Sequence, residues 1–210
     1  MMTRRLLQLL IGLAMYGISL AMFIRAGLGL DPWDVFHQGI AVKTGLSIGT
    51  VVVIVSFLVL LLWIPLRQWP GVGTLCNAVL VGVFADIGLA LIPAISHLGG
   101  QAGMLAGAIL LNGVASACYI GARLGPGARD GLMTGLARRT GWSVRASRTG
   151  IEVVVLGAGW LLGGSVGIGT VLYALAIGPL VQLLLPRFTV PELKVPKARE
   201  LAADSAVAAP

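Results

Sequence analysis

Charge is the first thing this chain is short of. Only 11% of its 210 residues are charged, against about a quarter in a soluble domain, which must cover its core with a wet surface. A water-soluble globular fold is excluded on that count. Cysteine is scarce as well. Cys76 and Cys118 both fall inside apolar runs, which argues against a disulfide framework or a clustered metal site. Aromatic residues make up 6% and do not interleave with basic ones, so the net charge of +7 does not read as a nucleic-acid surface. No GxxxxGK(S/T), HExxH or CxxC occurs. ATP-driven and zinc-dependent chemistry therefore lack support, and we expect no enzyme, no catalytic residue, no metal and no cofactor.

Long apolar runs take the space instead: 6–24, 50–66, 73–93, 103–120, 150–162 and 169–185. Most have the roughly 17–25 residues a helix needs to cross the hydrocarbon. The fifth reaches that length by extending back to Ser147, with its arginines at the interface. This predicts an all-α polytopic protein: six transmembrane helices in one membrane domain, residues 1–188, then a polar tail, 189–210, expected to be cytosolic and disordered. Arg4 and Arg5 imitate a signal-peptide n-region, but the following run is too long and no small-x-small cleavage site follows it. With the N-terminus inside, thirteen of the fifteen basic residues fall on cytosolic segments and only Arg25 and Lys43 fall outside. That asymmetry obeys the positive-inside rule and places both termini in the cytosol. The bilayer is thus the first expected partner. The five tryptophans, Trp33, Trp63, Trp69, Trp142 and Trp160, lie near span ends and read as an aromatic belt.

The chain is also written twice. Shifted by 96 residues, "AGLGLDPWDVFHQGIAVKTGLS" from Ala26 meets "ARLGPGARDGLMTGLARRTGWS" from Ala122, with nine identities in 22 positions, where composition alone would give roughly two. At the same offset "GVGTLCNAVLVG" from Gly71 meets "GIGTVLYALAIG" from Gly167. One offset over separated blocks indicates duplication of a three-helix unit, about 6–93 and 102–185. Three is odd, so the second copy enters the membrane from the opposite side, the inverted topology of many secondary transporters. Each copy carries a Gly-rich segment after its first helix, 27–48 and 123–144. In the first, Asp31 suits an N-cap, Pro32 the first helical position and Gly45 the stop. In the second, Gly127, Gly131 and Gly135 form a bare face for close packing.

"GLGLDPWDVFHQG" followed by "TGLSIGT", with "GPGARDGLMTGLARRTG" and "GIGTVLYALAIGPLVQ" later, resembles the YczE branch of the YczE/YyaS/YitT bacterial membrane proteins, over nearly the whole chain up to Phe188. Asp31 departs from the small residue usual before Pro-Trp-Asp. The resemblance implies a multi-spanning protein of the bacterial inner membrane and brings no established substrate or catalytic residues.

Candidate site residues follow from polar groups in apolar surroundings. Asp34 and Asp130 are the acidic pair that the offset preserves. Each suits a cation, a proton or a substrate amine at a cavity rim, or else caps backbone and pairs with Arg129 or Arg25. His37 shares a helix face with Asp34, but its counterpart is Met133, so a symmetric histidine site is excluded. Asp86 lies inside the third run, where an ionised carboxylate is costly unless paired or hydrated. We expect it to face an interior cavity as a proton- or cation-responsive group, with Gln182 as neutral counterpart, Gly82 leaving room beside it and Arg25 as nearest basic partner. Tyr16 with Asn112, Ser56 with Glu152, and Asn77 with Tyr173 extend the pattern of polar positions matched across the duplication. They suit a shared polar interior or interhelical hydrogen bonds, and Arg148 is placed to pair with Glu152. The leading expectation is a small secondary transporter for an unidentified small solute. The alternative is a non-transporting membrane protein that assists or regulates a cytosolic partner through its basic segment 123–148 and its tail.

Overall fold

A computed structural model describes residues 2–191, and the greater part of the expected tail, 192–210, lies outside the described residues. The described chain is all helical, without strands. It forms α1 (Met2–Ala26), α2 (Pro32–Thr44), α3 (Ile48–Trp63), α4 (Val72–Leu91), α5 (Leu98–Gly121), α6 (Ala128–Thr140), α7 (Val144–Leu161) and α8 (Ile168–Phe188).

The duplication seen in the letters is a duplication of backbone. α6, α7 and α8 each begin 96 residues after α2, α3 and α4. Asp31 stands extended at φ −66°, ψ 159° before α2, and Gly127 at φ −61°, ψ 158° before α6. Gly45 and Gly141 end those helices at φ 72° and 75°. Even the remaining left-handed residues pair at this offset: Gly27 with Arg123, Gly29 with Gly125, and Arg67 with Gly163. The local causes are those the sequence suggests. The Asp31 carboxylate accepts the Asp34 N–H, Pro32 opens α2, and Gly45 returns its N–H to the Ala41 carbonyl. Ser47 and Ser143 cap α3 and α7 in the same manner.

The two halves grip each other by exchange. α1 crosses α5, α1 lies on α4 and α5 on α8, while α2 packs against α7 and α6 against α3. The Gly73 N–H donates to the Leu124 carbonyl and the Gly169 N–H to the Leu28 carbonyl, both at 2.8 Å, so each half closes a helix start of the other. Size is traded across the same relation. Gly131 leaves room for the Trp63 indole, and at the counterpart positions Gly159 leaves room for the backbone of Val35 and Phe36, whose Cα a β-carbon on Gly159 would meet at 2.5 Å. The bare glycine face of α6 is therefore a seat for the end of α3.

One seam breaks the relation. α3 lies on α4, with a β-carbon on Gly82 barred by the Gly49 backbone and by Val53 Cγ2 at 2.8 Å. Among the described residues α7 and α8 do not pack along one another. Gly178, the counterpart of Gly82, has nothing within 4 Å of such a β-carbon, and Arg145 stands where Gly49 would be.

Four helices, α1, α4, α5 and α8, are long and apolar enough to cross a membrane, and a fifth span results if α2 and α3, bent by 115°, count as one. The six expected spans thus reduce to four or five on length and composition. The second falls on α3, whose 16 residues rise only about 24 Å. The fifth falls on α7, whose first half carries Arg145, Arg148 and Glu152. After α8 the chain remains packed for a few residues. The buried Val190 donates its N–H to the Gly121 carbonyl at 2.9 Å, and Arg5 donates to the Pro191 carbonyl at 2.7 Å.

Candidate functional site

The starts of α2 and α6 meet, and they meet at equivalent positions. Trp33 and Arg129 are 96 residues apart, and the Arg129 guanidinium carbon lies 5.6 Å from the centroid of the Trp33 ring, within cation–π range. Arg129 Nη1 is 3.5 Å from Asp31 Oδ1 and Nη2 is 3.5 Å from Asp34 Oδ1. Two buried carboxylates therefore face one guanidinium. His37 Nδ1 adds a contact of 3.1 Å to Asp34 Oδ1 from one turn further along α2, and both side chains are almost wholly buried. The twin aspartates have parted in use. Asp34 belongs to the arginine cluster, whereas Asp130 Oδ2 accepts the Tyr119 hydroxyl at 2.7 Å.

Two small cavities flank this cluster. One, of about 50 Å³, is bordered by Tyr16, Ser56, Asn77, Tyr119, Arg129 and Asp130. The other, of about 60 Å³, is bordered by Tyr16, Asp31, Trp33, Arg129, Asp130, Arg148, Glu152 and Tyr173. Ser56 and Asn77 in the first correspond to Glu152 and Tyr173 in the second, so the cavities are counterparts in the duplication. Tyr16, Arg129 and Asp130 border both. Each has room for a few water-sized groups. Arg148 Nε donates to Glu152 Oε1 at 2.8 Å, the pair expected from their four-residue spacing.

Residues 3–186 match a family described as a family of unknown function, DUF6198. The chain belongs to this family. It is 39% identical over 177 residues to an uncharacterized protein of Haemophilus influenzae, covering 84% of this chain and 81% of that one. It is 36% identical over 173 residues to the uncharacterized membrane protein YczE of Bacillus subtilis, covering 82% and 80%. A more distant relative, the uncharacterized protein YyaS of Bacillus subtilis, is 27% identical over 184 residues. No solved structure matches. The resemblance to YczE-like proteins is thereby established, and with its long apolar helices this family member is a multi-pass membrane protein.

Several expected site residues lie elsewhere in this family member. Asp86 borders neither central cavity. Half-buried on α4, it accepts the Ser47 hydroxyl at 2.6 Å and the Gly49 N–H at 2.8 Å, and so closes off the start of α3. The room expected beside Gly82 is filled by α3 itself. Arg25 donates to the Leu89 carbonyl, and Gln182 is exposed. Asn112 is central but structural in its contacts: its amide donates to Ser19 Oγ at 2.9 Å and accepts the Tyr173 hydroxyl at 3.2 Å. Trp33 and Trp63 leave the aromatic belt. They are 5% and 1% exposed, and Trp63 Nε1 donates to the Ala128 carbonyl at 3.0 Å. Two GxSxG stretches, 45–49 and 163–167, are turns: Ser47 caps α3, and the Ser165 N–H donates to Gln38 Oε1 at 2.6 Å. The Trp33–Arg129 meeting escaped sequence reasoning, although the offset of 96 does map one residue onto the other.

Proposed function

We propose that this chain is a small secondary transporter of the bacterial inner membrane for an unidentified small solute, built from two inverted-topology units of three spans with both termini in the cytosol. In this reading α3 and α7 are short spans and α2 and α6 are re-entrant. The observation that carries it is the polar centre, where Trp33, Arg129, Asp31 and Asp34 sit between two cavities related by the duplication. Charge in an apolar bundle is expensive and marks a solute path, and transporters of inverted repeats bind at the repeat interface beside interrupted helices. The predominance of basic residues on the segments assigned to the cytosol supports the orientation.

The test of transport is purified protein in proteoliposomes, screened for solute-driven current or uptake across cationic, anionic, zwitterionic and neutral solutes. At least one class should be moved, and Arg129→Gln should abolish it. A folded protein that moves none sinks the reading. Orientation is tested separately in a background lacking Cys76 and Cys118. An impermeant maleimide added to intact cells should label a cysteine at position 43 and spare one at 139, and equal labelling would overturn the inverted arrangement.

A further inference from the structure

We infer that the substrate is a small organic cation and that Arg129 is its tethered stand-in, occupying the cation site until the substrate displaces it. This deepens the transporter reading by naming the substrate class, yet its binding half stands without it. The groups around the Arg129 guanidinium are those that would recognise a free one: an indole face at 5.6 Å and two carboxylates. An aromatic face favours a weakly hydrated cation such as guanidinium or an alkylammonium over a compact metal ion.

The hold on Arg129 is loose. Charge-assisted contacts of this kind normally close to about 2.7–2.9 Å, whereas both carboxylate contacts are 3.5 Å. The Arg129 side chain is 23% exposed while those of Asp31 and Asp34 are 3% and 1% exposed, so the acceptors are fixed and the donor borders open space. Trp33, itself 5% exposed, lines the second cavity, and its indole N–H is buried without a partner. A cation that also carries an acceptor oxygen would satisfy that group; methylguanidinium, which has donors only, tests the cation half of the site alone.

Displacement also has a physical route. Arg129 borders both cavities, so its head can withdraw toward Ser56 and Asn77 as a cation enters beside Asp31 and Trp33. A cation that takes over Asp31 and Asp34 while the Arg129 head moves toward Asp130, which borders both cavities, keeps those two carboxylates paired throughout. It thereby avoids the heavy cost of leaving buried carboxylates unpaired, which is what simple departure of Arg129 would incur.

The experiment uses the full chain in detergent, with methylguanidinium chloride as probe and sodium chloride at matched ionic strength as control, read by thermal unfolding and tryptophan fluorescence. Removing the stand-in should open its seat. Arg129→Ala should be less stable than wild type and regain stability saturably with methylguanidinium, with an apparent affinity at least tenfold tighter than wild type. Adding Trp33→Leu or Asp34→Asn to that variant should abolish the rescue. If Arg129→Ala does not purify as a single species, Arg129→Lys, which keeps a charge but loses the planar fork, must show the same tighter binding. Sodium-like behaviour of methylguanidinium in the variant, or rescue that survives the loss of Trp33 and Asp34, overturns the inference. Cation binding without transport of any solute would defeat the transporter reading alone. Transport of an anion without methylguanidinium binding would defeat only this one.

Discussion

Alanine at Gly82 places a β-carbon against the Gly49 carbonyl oxygen, 2.8 Å from Val53 Cγ2 and 3.1 Å from the Gly49 carbonyl carbon. Ordinary contact there requires α3 and α4 to part by roughly 1 Å, and such overpacking costs about 1–3 kcal/mol. The same movement pulls the Asp86 carboxylate from the Ser47 hydroxyl and the Gly49 N–H, now at 2.6 and 2.8 Å, and a weakened hydrogen bond forfeits about 0.5–1.5 kcal/mol. Less the roughly 1 kcal/mol that any helical glycine gains on becoming alanine, Gly82→Ala should therefore lose about 0.5–3.5 kcal/mol, a fall in Tm of about 1–14 °C for a domain of this size. Gly178→Ala is the internal control: the same residue type at the same repeat position, with nothing within 4 Å of the new atom. There the change relieves a helical glycine and is worth up to about 1 kcal/mol in favour of the fold. Heating in detergent followed by fluorescence-detected size exclusion measures both. Equal shifts in the two variants, or a Gly82→Ala protein as stable as wild type, would refute the tight α3–α4 crossing and the asymmetry between the halves.

Three further outcomes follow from the contacts. Asp86→Ala should cost about 0.5–2 kcal/mol as a lost helix cap, whereas Asp86→Asn should recover most of it; a proton-dependent activity lost in Asp86→Asn without loss of stability would instead restore it as a functional carboxylate. Trp63→Phe removes the indole N–H that donates to the Ala128 carbonyl at 3.0 Å and should cost about 0.5–1.5 kcal/mol. Trp33→Phe breaks no hydrogen bond and should be milder in the same melting assay. Asn112→Leu strands the buried Tyr173 hydroxyl, while the Ser19 hydroxyl keeps its bond to the Tyr16 carbonyl, and should lower stability by about 1–3 kcal/mol, with methylguanidinium binding to the Arg129→Ala protein preserved.

Much of this was legible because the duplication is recorded in residue spacing. The offset of 96 anticipates the starts of α6, α7 and α8 from those of α2, α3 and α4, and the Asp31, Pro32 and Gly45 signals bound α2 as found. Tyr16, Ser56, Asn77, Glu152 and Tyr173, noted as matched polar positions, do border the paired cavities. The place of Asp86 is hidden from the sequence for a definite reason. Hydropathy reports that a carboxylate in an apolar run needs a partner, but that partner is a helix start 37 residues away in sequence, delivered by a crossing of Gly49 on Gly82. Spacing alone does not tell which glycine meets which. Tryptophan near a span end usually lies at the membrane surface, the position the sequence suggests for Trp33 and Trp63; the exchange of α2 and α6 between halves, a tertiary matter, takes them inside. The span count differs because α3 and α7 are short or charged helices, whose depth depends on the neighbours that cover them.

The exchange of α2 onto α7 has a consequence for how the chain is made. α2 ends at Thr44 and α7 begins at Val144, so its resting place does not exist until another hundred residues have left the ribosome, roughly 5–20 s at ordinary synthesis rates. Through that interval the segment with Asp31, Asp34 and His37 must wait without Arg129, which is also unborn, its acids still in water or at the headgroups. Arrival of the second half supplies the countercharge and the docking face together. Final positioning of α2 is thus a late, post-insertion step, and a ribosome-bound chain ending near residue 100 should leave a cysteine at position 34 open to labelling that the finished protein withholds.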